Sequence, residues 1–152
     1  MNTHLTTILT THNIPFTPHT FTESVHSVAE AQAQTGGQDH EMIKNVCCIT
    51  KSGKLLIVIL LGSARLDFKA LKSHCGEAVS MAKPEQVVEG TGFAVGGVPS
   101  FGIKEVEYYM DEQVLDSERV FTSGGDDRSL IELAPQDMLS LHSYHIGLWH
   151  KS

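Results

Sequence analysis

The first apolar positions along the chain have a helical period. Leu5, Ile8 and Leu9 share one face of Thr3–Thr11, and Pro15 bounds the segment. From Ile14 to Phe21 the pattern alternates, and Pro15 and Pro18 within it suit an edge strand. In SVAEAQAQTGG, Ser27 and Glu30 have the spacing of a capping box. Val28, Ala31 and Ala33 support a short helix there, and Gly36-Gly37 stops it. The two richest apolar runs, Met42–Thr50 and Leu55–Leu61, flank the turn sequence KSGK and predict a buried hairpin at the centre of a sheet. Asp67 is placed to cap a helix from Phe68 to about His74. Pro84 opens a further helix, which Gly90 ends. Ile103–Met110, Arg119–Thr122 and Leu130–Leu133 read as strands, and APQDMLSL as a last short helix with Pro135 near its start. The remainder, HSYHIGLWHKS, is a docked or a frayed tail. Strands and helices come in mixed order without repeat or linker. The pattern therefore predicts a single α+β domain over residues 1–152, built on one curved sheet.

Composition narrows the class. A chain of 152 residues with 41% hydrophobic and 19% charged residues fits one ordinary folded domain. The formal net charge of −7, from 18 acids and 11 bases, argues against a broad basic surface for gripping duplex nucleic acid. Lys51, Lys54, Arg65, Lys69, Lys72 and Lys83 group loosely, as a small basic patch or as a scattered solvated surface. Three cysteines, two of them the adjacent Cys47 and Cys48 in an apolar run, make no disulfide framework and point to a reducing, cytoplasmic setting. The N-terminal stretch has no basic region followed by an apolar core. Leu55–Leu61 is too short to cross a bilayer, so no membrane partner is expected.

Candidate chemistry sits where the apolar pattern breaks. GTGFAVGGVPSFG (Gly90–Gly102) holds five glycines in thirteen residues and one proline, Pro99. Such a loop either joins two strands tightly or presents its own N–H groups to an oxygen-rich ligand. It lacks the spacing of a dinucleotide fingerprint and the ending of a Walker loop. Lys44 interrupts the apolar run MIKNVCCIT, and an ammonium there must reach solvent or a polar pocket. Met42, Lys44, Val46 and Cys48 share a face and three of the four are apolar, so Lys44 is either a solvent-facing strand lysine or one at the mouth of a pocket. Ser123-Gly124-Gly125 has the composition of a hairpin turn, and Asp126 and Asp127 after it lack the spacing of metal ligands. Among nine histidines only His142 and His145 stand at helical spacing, with no HExxH and no CxxC, so no metal is expected. There is no GxSxG elbow, and nothing in the sequence shows a base positioned to activate Cys75 as a nucleophile.

Three stretches together resemble one family. They are Ser27–Ala33 followed by a strand with Ile43-Lys44, AKPEQVVEGTGFAVGGVPSFG (Ala82–Gly102), and TSGGDDRSLIELAPQDML (Thr122–Leu139). They are similar to the YbaK/ProX family of aminoacyl-tRNA deacylases, relatives of the editing domain inserted in bacterial prolyl-tRNA synthetases, over about residues 20 to 140. The resemblance implies one α+β domain, a mixed, barrel-like curved sheet flanked by short helices. It implies a hydrolase of translation quality control that splits the ester between a wrong amino acid and the terminal adenosine of tRNA, without a cofactor. Its partners would be the acceptor end of an aminoacyl-tRNA and, as a further candidate, prolyl-tRNA synthetase. Carried over, Lys44, Gly96 and Gly97 are the catalytic residues, Val98, Pro99, Ser100, Phe101 and Gly102 the substrate-binding loop, and Ser123, Gly124 and Gly125 the far side of the pocket. Two departures stand out. Family loops read GGxxPxG, with proline where this chain has Ser100, and a histidine often follows the second glycine site where this chain has Asp126. In the implied chemistry, amides of the glycine loop stabilise the oxyanion of ester hydrolysis, and Lys44 holds the adenosine phosphate or orients the aminoacyl group. The neighbouring ribose hydroxyl of the substrate assists the attacking water, and pocket size selects a small amino acid such as alanine, cysteine or serine. The alternatives are a non-catalytic module that binds aminoacyl-adenosine or the acceptor end, and hydrolysis of an unrelated small ester or amide.

Overall fold

The computed structural model describes residues 1–152. Asn2 caps α1 (Thr3–Thr11) by accepting the Leu5 amide, and Leu5 and Leu9 on its inner face are fully buried. β1 (Phe16–Thr20) accommodates Pro18 because it has a partner strand on one side only. At the start of α2 (Val28–Thr35) the Ser27 hydroxyl accepts the Glu30 amide, as predicted. The Glu30 carboxylate takes the His26 amide instead of that of Ser27, so the box is displaced by one residue. Of the apolar residues expected to support this helix, Ala31 alone is buried, and Gly36 closes the helix in the left-handed conformation.

β2 (Ile43–Thr50) and β3 (Leu55–Leu61) form the predicted antiparallel hairpin, in register from Ile43 opposite Leu61 to Ile49 opposite Leu55. Asp67 caps α3 (Phe68–Cys75) with bonds from the Lys69 and Ala70 amides. β4 (Val79–Met81), which the hydrophobic pattern does not announce, adds to the free side of β2. α4 (Pro84–Thr91) starts at Pro84 but runs through Gly90, and Gly92 caps it at φ 79°. The reason is packing: a Cβ on Gly90 would run into the Leu55 side chain, so this glycine serves a close approach and not a helix stop. β5 (Glu107–Asp111) begins later than expected, the Ile103 amide being held by the Tyr108 hydroxyl. β6 (Val120–Ser123) and β7 (Ser129–Leu133) pair across the SGGDDR turn, and α5 (Pro135–Met138) and β8 (Tyr144–Gly147) complete the chain.

The strands form a three-stranded antiparallel sheet in the order β1-β7-β6 and a mixed five-stranded sheet in the order β4-β2-β3-β5-β8. Met42 bridges Phe121 between them, so the mixed, curved α+β surface is continued by a bridge where one ladder was expected. β3 is apolar throughout because both its faces are covered. Ile57 and Ile59 face the main core with Leu5, Leu9, Phe101 and Met110, whereas Leu56, Val58 and Leu60 pack under Leu71 of α3 with Tyr109 and Trp149. The tail is docked. Buried Asp111 accepts the Trp149 amide at 2.8 Å and contacts His150 Nδ1 at 2.7 Å, and the Trp149 indole donates to the His145 carbonyl. No helix is long and apolar enough to cross a membrane.

Candidate active site

Where the two sheets meet, a cleft of about 460 Å³ opens between the approach to α2, the first residues of β2, the glycine loop and the β6–β7 turn. That is the usual scale of a small-ligand site. Its floor is apolar: Ala31, Met42 and Phe121 form a small buried cluster against Val25 and Leu130. The floor is tight, since a Cβ on Gly37 would come within 2.7 Å of Met42 Sδ and 2.8 Å of the Phe121 ring. The polar groups stand on the walls.

Lys44 lines the cleft, and its Nζ donates to the Ala64 carbonyl at 2.5 Å. One carbonyl occupies one of the three N–H groups of the ammonium, and the other two remain for a ligand. Burial holds its pKa below the ordinary 10.5 of a lysine, because the charged form loses solvation there.

The glycine loop lines the same cleft as Lys44 through Val95, Gly96 and Val98. Gly96 has φ 89° with open space where a Cβ would stand, so the backbone conformation sets the requirement for glycine there. Gly97 is buried behind it. A Cβ on Gly97 would lie 3.1 Å from the Gly125 carbonyl and 3.2 Å from Asp126 Cα, so the two glycine sites pack backbone to backbone. The Gly97 amide donates to the Ala94 carbonyl at 2.9 Å, whereas the Gly96 and Val98 amides reach no acceptor in the protein.

A ring of side-chain hydrogen bonds holds the loop over the sheets. Asn45 Nδ2 donates to Thr122 Oγ1 at 3.1 Å, Ser100 and Thr122 hydroxyls lie 2.6 Å apart, and Ser100 Oγ donates to Asn45 Oδ1 at 2.7 Å. With the Thr122 hydroxyl donating to Ser100, every member of the ring is satisfied. The second N–H of Asn45 is free for the Val98 carbonyl, which it meets at 2.8 Å. The ring ties β2, the loop and β6 together.

The loop's other end is anchored away from the cleft. Pro99 and Phe101 are buried, the latter in the main core, and the Tyr144 hydroxyl donates to the Ser100 carbonyl at 2.8 Å. Gly102, at φ 92°, lies under Leu5 and Ile8 of α1 and donates its amide to His142 Nε2 at 2.8 Å. Burial lowers the His142 pKa, which favours the neutral ring that this acceptor role requires.

At the second glycine site, Ser123 lines the cleft and its hydroxyl accepts the Gly125 amide, while the Gly124 amide donates to the Ser129 carbonyl. The Asn2 amide donates to the Gly124 carbonyl, so this turn seats the start of α1. Asp126 is engaged on both oxygens: Oδ1 accepts the Arg128 amide and the Ser129 hydroxyl, and Oδ2 meets the Met1 amine at 3.0 Å. Burial pushes its carboxyl up, but these bonds outweigh burial and leave it below the ordinary aspartate range. Asp127 is different. It is exposed, it is the one carboxylate lining the cleft, and its side chain accepts no hydrogen bond.

The cleft thus brings together Lys44, Gly96, Val98 and Ser123. Gly97, Ser100, Gly124 and Gly125 lie behind its walls and fix them, and Pro99, Phe101 and Gly102 fasten the loop to the core and to α1. Sequence reasoning missed Asn45, Thr122 and Asp127, and the residues before α2, Val25 and His26. Asn45 carried a usable signal, since an amide in an apolar strand must find partners once buried. Val25 and His26 carried none, because only the fold brings that segment over the sheets.

The profile of the family described as the aminoacyl-tRNA editing domain matches residues 22–141. YwhH of Bacillus subtilis, a protein without a described activity, is 28% identical over 119 residues, covering 78% of this chain and 76% of its own. EbsC of Enterococcus faecalis, named as a candidate Cys-tRNA(Pro)/Cys-tRNA(Cys) deacylase, is 27% identical over 134 residues, covering 86% of this chain and 82% of its own. The crystal structure of a candidate trans-editing enzyme for prolyl-tRNA synthetase superimposes with a TM-score of 0.87 at 25% identity, covering 99% of this chain and 96% of that one.

Proposed function

The chain belongs to the aminoacyl-tRNA editing-domain family, and from that premise we propose that it is a trans-editing deacylase, which hydrolyses the ester joining a wrong amino acid to the terminal adenosine of tRNA. A tRNA-Pro-type substrate carrying a small amino acid is the reading that EbsC and the candidate trans-editing enzyme support. One observation carries it: Lys44 lines an apolar-floored cleft together with Gly96 and Val98, two residues whose amides have no acceptor in the protein.

In this reading water attacks the ester carbonyl, a tetrahedral oxyanion forms, and collapse releases the free amino acid and the ribose hydroxyl. The Gly96 and Val98 amides are the donors for the oxyanion, preorganised by the ring through Asn45, Ser100 and Thr122. Lys44 holds the adenosine phosphate or the aminoacyl carbonyl through its remaining N–H groups. Asp127 accepts the α-ammonium of the aminoacyl group. The amino-acid side chain rests on Ala31, Met42 and Phe121, whose closeness favours a small residue. With Asp126 engaged on both oxygens, the water is activated by the substrate's neighbouring ribose hydroxyl. Deacylation of a panel of mischarged tRNAs is the test. The reading requires hydrolysis of at least one tRNA carrying alanine, cysteine or serine, and a panel left intact refutes it.

The engagement of Asp126 also favours a second reading, a module that binds aminoacyl-adenosine without cleaving it. Tight binding of an amide-linked analogue, with the ester substrate left intact at saturation, selects that reading.

A further inference from the structure

Charge is unevenly placed in this chain. Residues 61–72 and 148–152 hold Arg65, Lys69, Lys72 and Lys151, four of the eleven Lys and Arg, but only one of the eighteen acids, Asp67. That carboxylate is occupied at the start of α3 by the Lys69 and Ala70 amides. All four cations are exposed, and none is ion-paired, whereas Arg119 and Lys54 have carboxylate partners.

The two segments are joined side by side. Leu66 and His150 form an antiparallel bridge, and the Lys151 amide donates to the Arg65 carbonyl at 2.8 Å. Leu66 packs into the core under α3, and His150 turns to buried Asp111. Side chains alternate across an extended backbone, so the residues flanking this bridge, Arg65 and Lys151, face outward together. The β3–α3 loop that carries Arg65 is also the rim of the cleft. Ala64 accepts the Lys44 ammonium, and a Cβ on Gly62 would come within 2.8 Å of Val28, a cleft-lining residue.

We propose that Arg65 and Lys151, continued by Lys69 on α3, are the docking strip for the phosphodiester backbone of the RNA whose esterified end enters the cleft. This inference rests on the deacylase reading and extends it from the reacting ester to the strand behind it. A protein of net charge −7 repels RNA over most of its surface, and an unpaired basic strip leading from Lys44 gives the strand one favourable path. The arginine fork matches phosphate oxygens in pairs. Contacts of this kind position the backbone and read no bases, so the strip is indifferent to sequence.

The test uses the whole protein and the double substitution Arg65→Gln/Lys151→Gln, with Lys51→Gln/Lys104→Gln as the charge-matched control. Lys51 lies in the β2–β3 turn and Lys104 ahead of β5, and both are exposed. Binding of an uncharged CCA-ended tRNA is measured against salt, and kcat/KM is measured for a mischarged tRNA and for the same aminoacyl ester of adenosine alone. Two lost phosphate contacts on a single strand should flatten the slope of log affinity against log salt by about 1.4 and weaken low-salt binding by about tenfold. The ratio of kcat/KM for tRNA over adenosine ester should fall by about the same factor, with the control pair resembling the native protein. An unchanged slope and ratio in the Arg65/Lys151 variant, or an equal loss in the control pair, overturns the proposal. If the native protein hydrolyses neither ester, the deacylase reading fails, and the tRNA-binding arm still decides the strip by itself.

Discussion

Lys44 is a cation held half-buried by a carbonyl and not by a carboxylate. Its lowered pKa has a direct consequence for rate. The charged form is the one that holds a phosphate or a carbonyl, so catalysed deacylation should fall as pH rises through the folded-state value, below the ordinary 10.5. A rate–pH profile corrected for spontaneous ester hydrolysis checks this, and Lys44→Arg, which stays charged, should move the alkaline limb upward. Ser100 is a second single-residue case. It is fully buried, and its hydroxyl is the donor to Asn45 Oδ1. Ser100→Ala leaves that oxygen without its donor, so urea unfolding should show a loss of about 1–3 kcal/mol. An unchanged midpoint would mean that the ring does not hold the loop.

At the scale of elements, the site was legible where chemistry breaks a pattern. Lys44 interrupts an apolar strand, and five glycines in thirteen residues interrupt everything else, so β2 and the glycine loop were readable together. Gly97 shows the limit of that reading. It was assigned to chemistry with Gly96, but its amide is engaged by Ala94, and its small size serves the approach of Gly125. Gly90 shows a similar limit, since nothing in the sequence says that Leu55 lies against it. The tail could be read as docked or frayed because its anchor, Asp111, lies 38 residues before Trp149. α2 was legible as a helix but not as the floor of the cleft, because Ala31 meets Met42 and Phe121 only through the fold. That floor gives a prediction for the element. Ala31→Leu adds volume to a packed surface, so KM for the responsive mischarged tRNA should rise by about tenfold or more, with the fold retained. An unchanged KM would place the amino-acid side chain elsewhere.

At the scale of the molecule, one ion network spans the two sheets. Arg119 donates to Glu41, just before β2, at 2.8 Å and to Glu132 of β7 at 3.1 Å, and its guanidinium lies 5.1 Å over the Phe121 ring in the cleft floor. The bond from Arg119 holds the Glu41 carboxyl below the ordinary 4.5. Burial pushes Glu132 up, but bonds from His19 and Arg119 leave it lowered as well. Carboxyls lowered in the folded state stabilise it above their unfolded values, and that stability is lost as pH falls through the folded ones. Arg119→Met should therefore cost about 1 kcal/mol near neutral pH, tempered by the exposure of the guanidinium, and the gap from the native protein should close below about pH 4.5. Unfolding curves at pH 7 and pH 3.5 check the sign, and a gap that widens in acid contradicts it.

Deacylation by this protein requires the Lys44 ammonium and the two amides to act on one ester in one cleft. The most direct measurement is the single-turnover deacylation rate of the mischarged tRNA that the native protein hydrolyses, compared with Lys44→Ala at saturating enzyme. The predicted result is a loss of about a hundredfold or more, as for the removal of one group that stabilises the transition state. Equal rates in the two proteins would contradict the account.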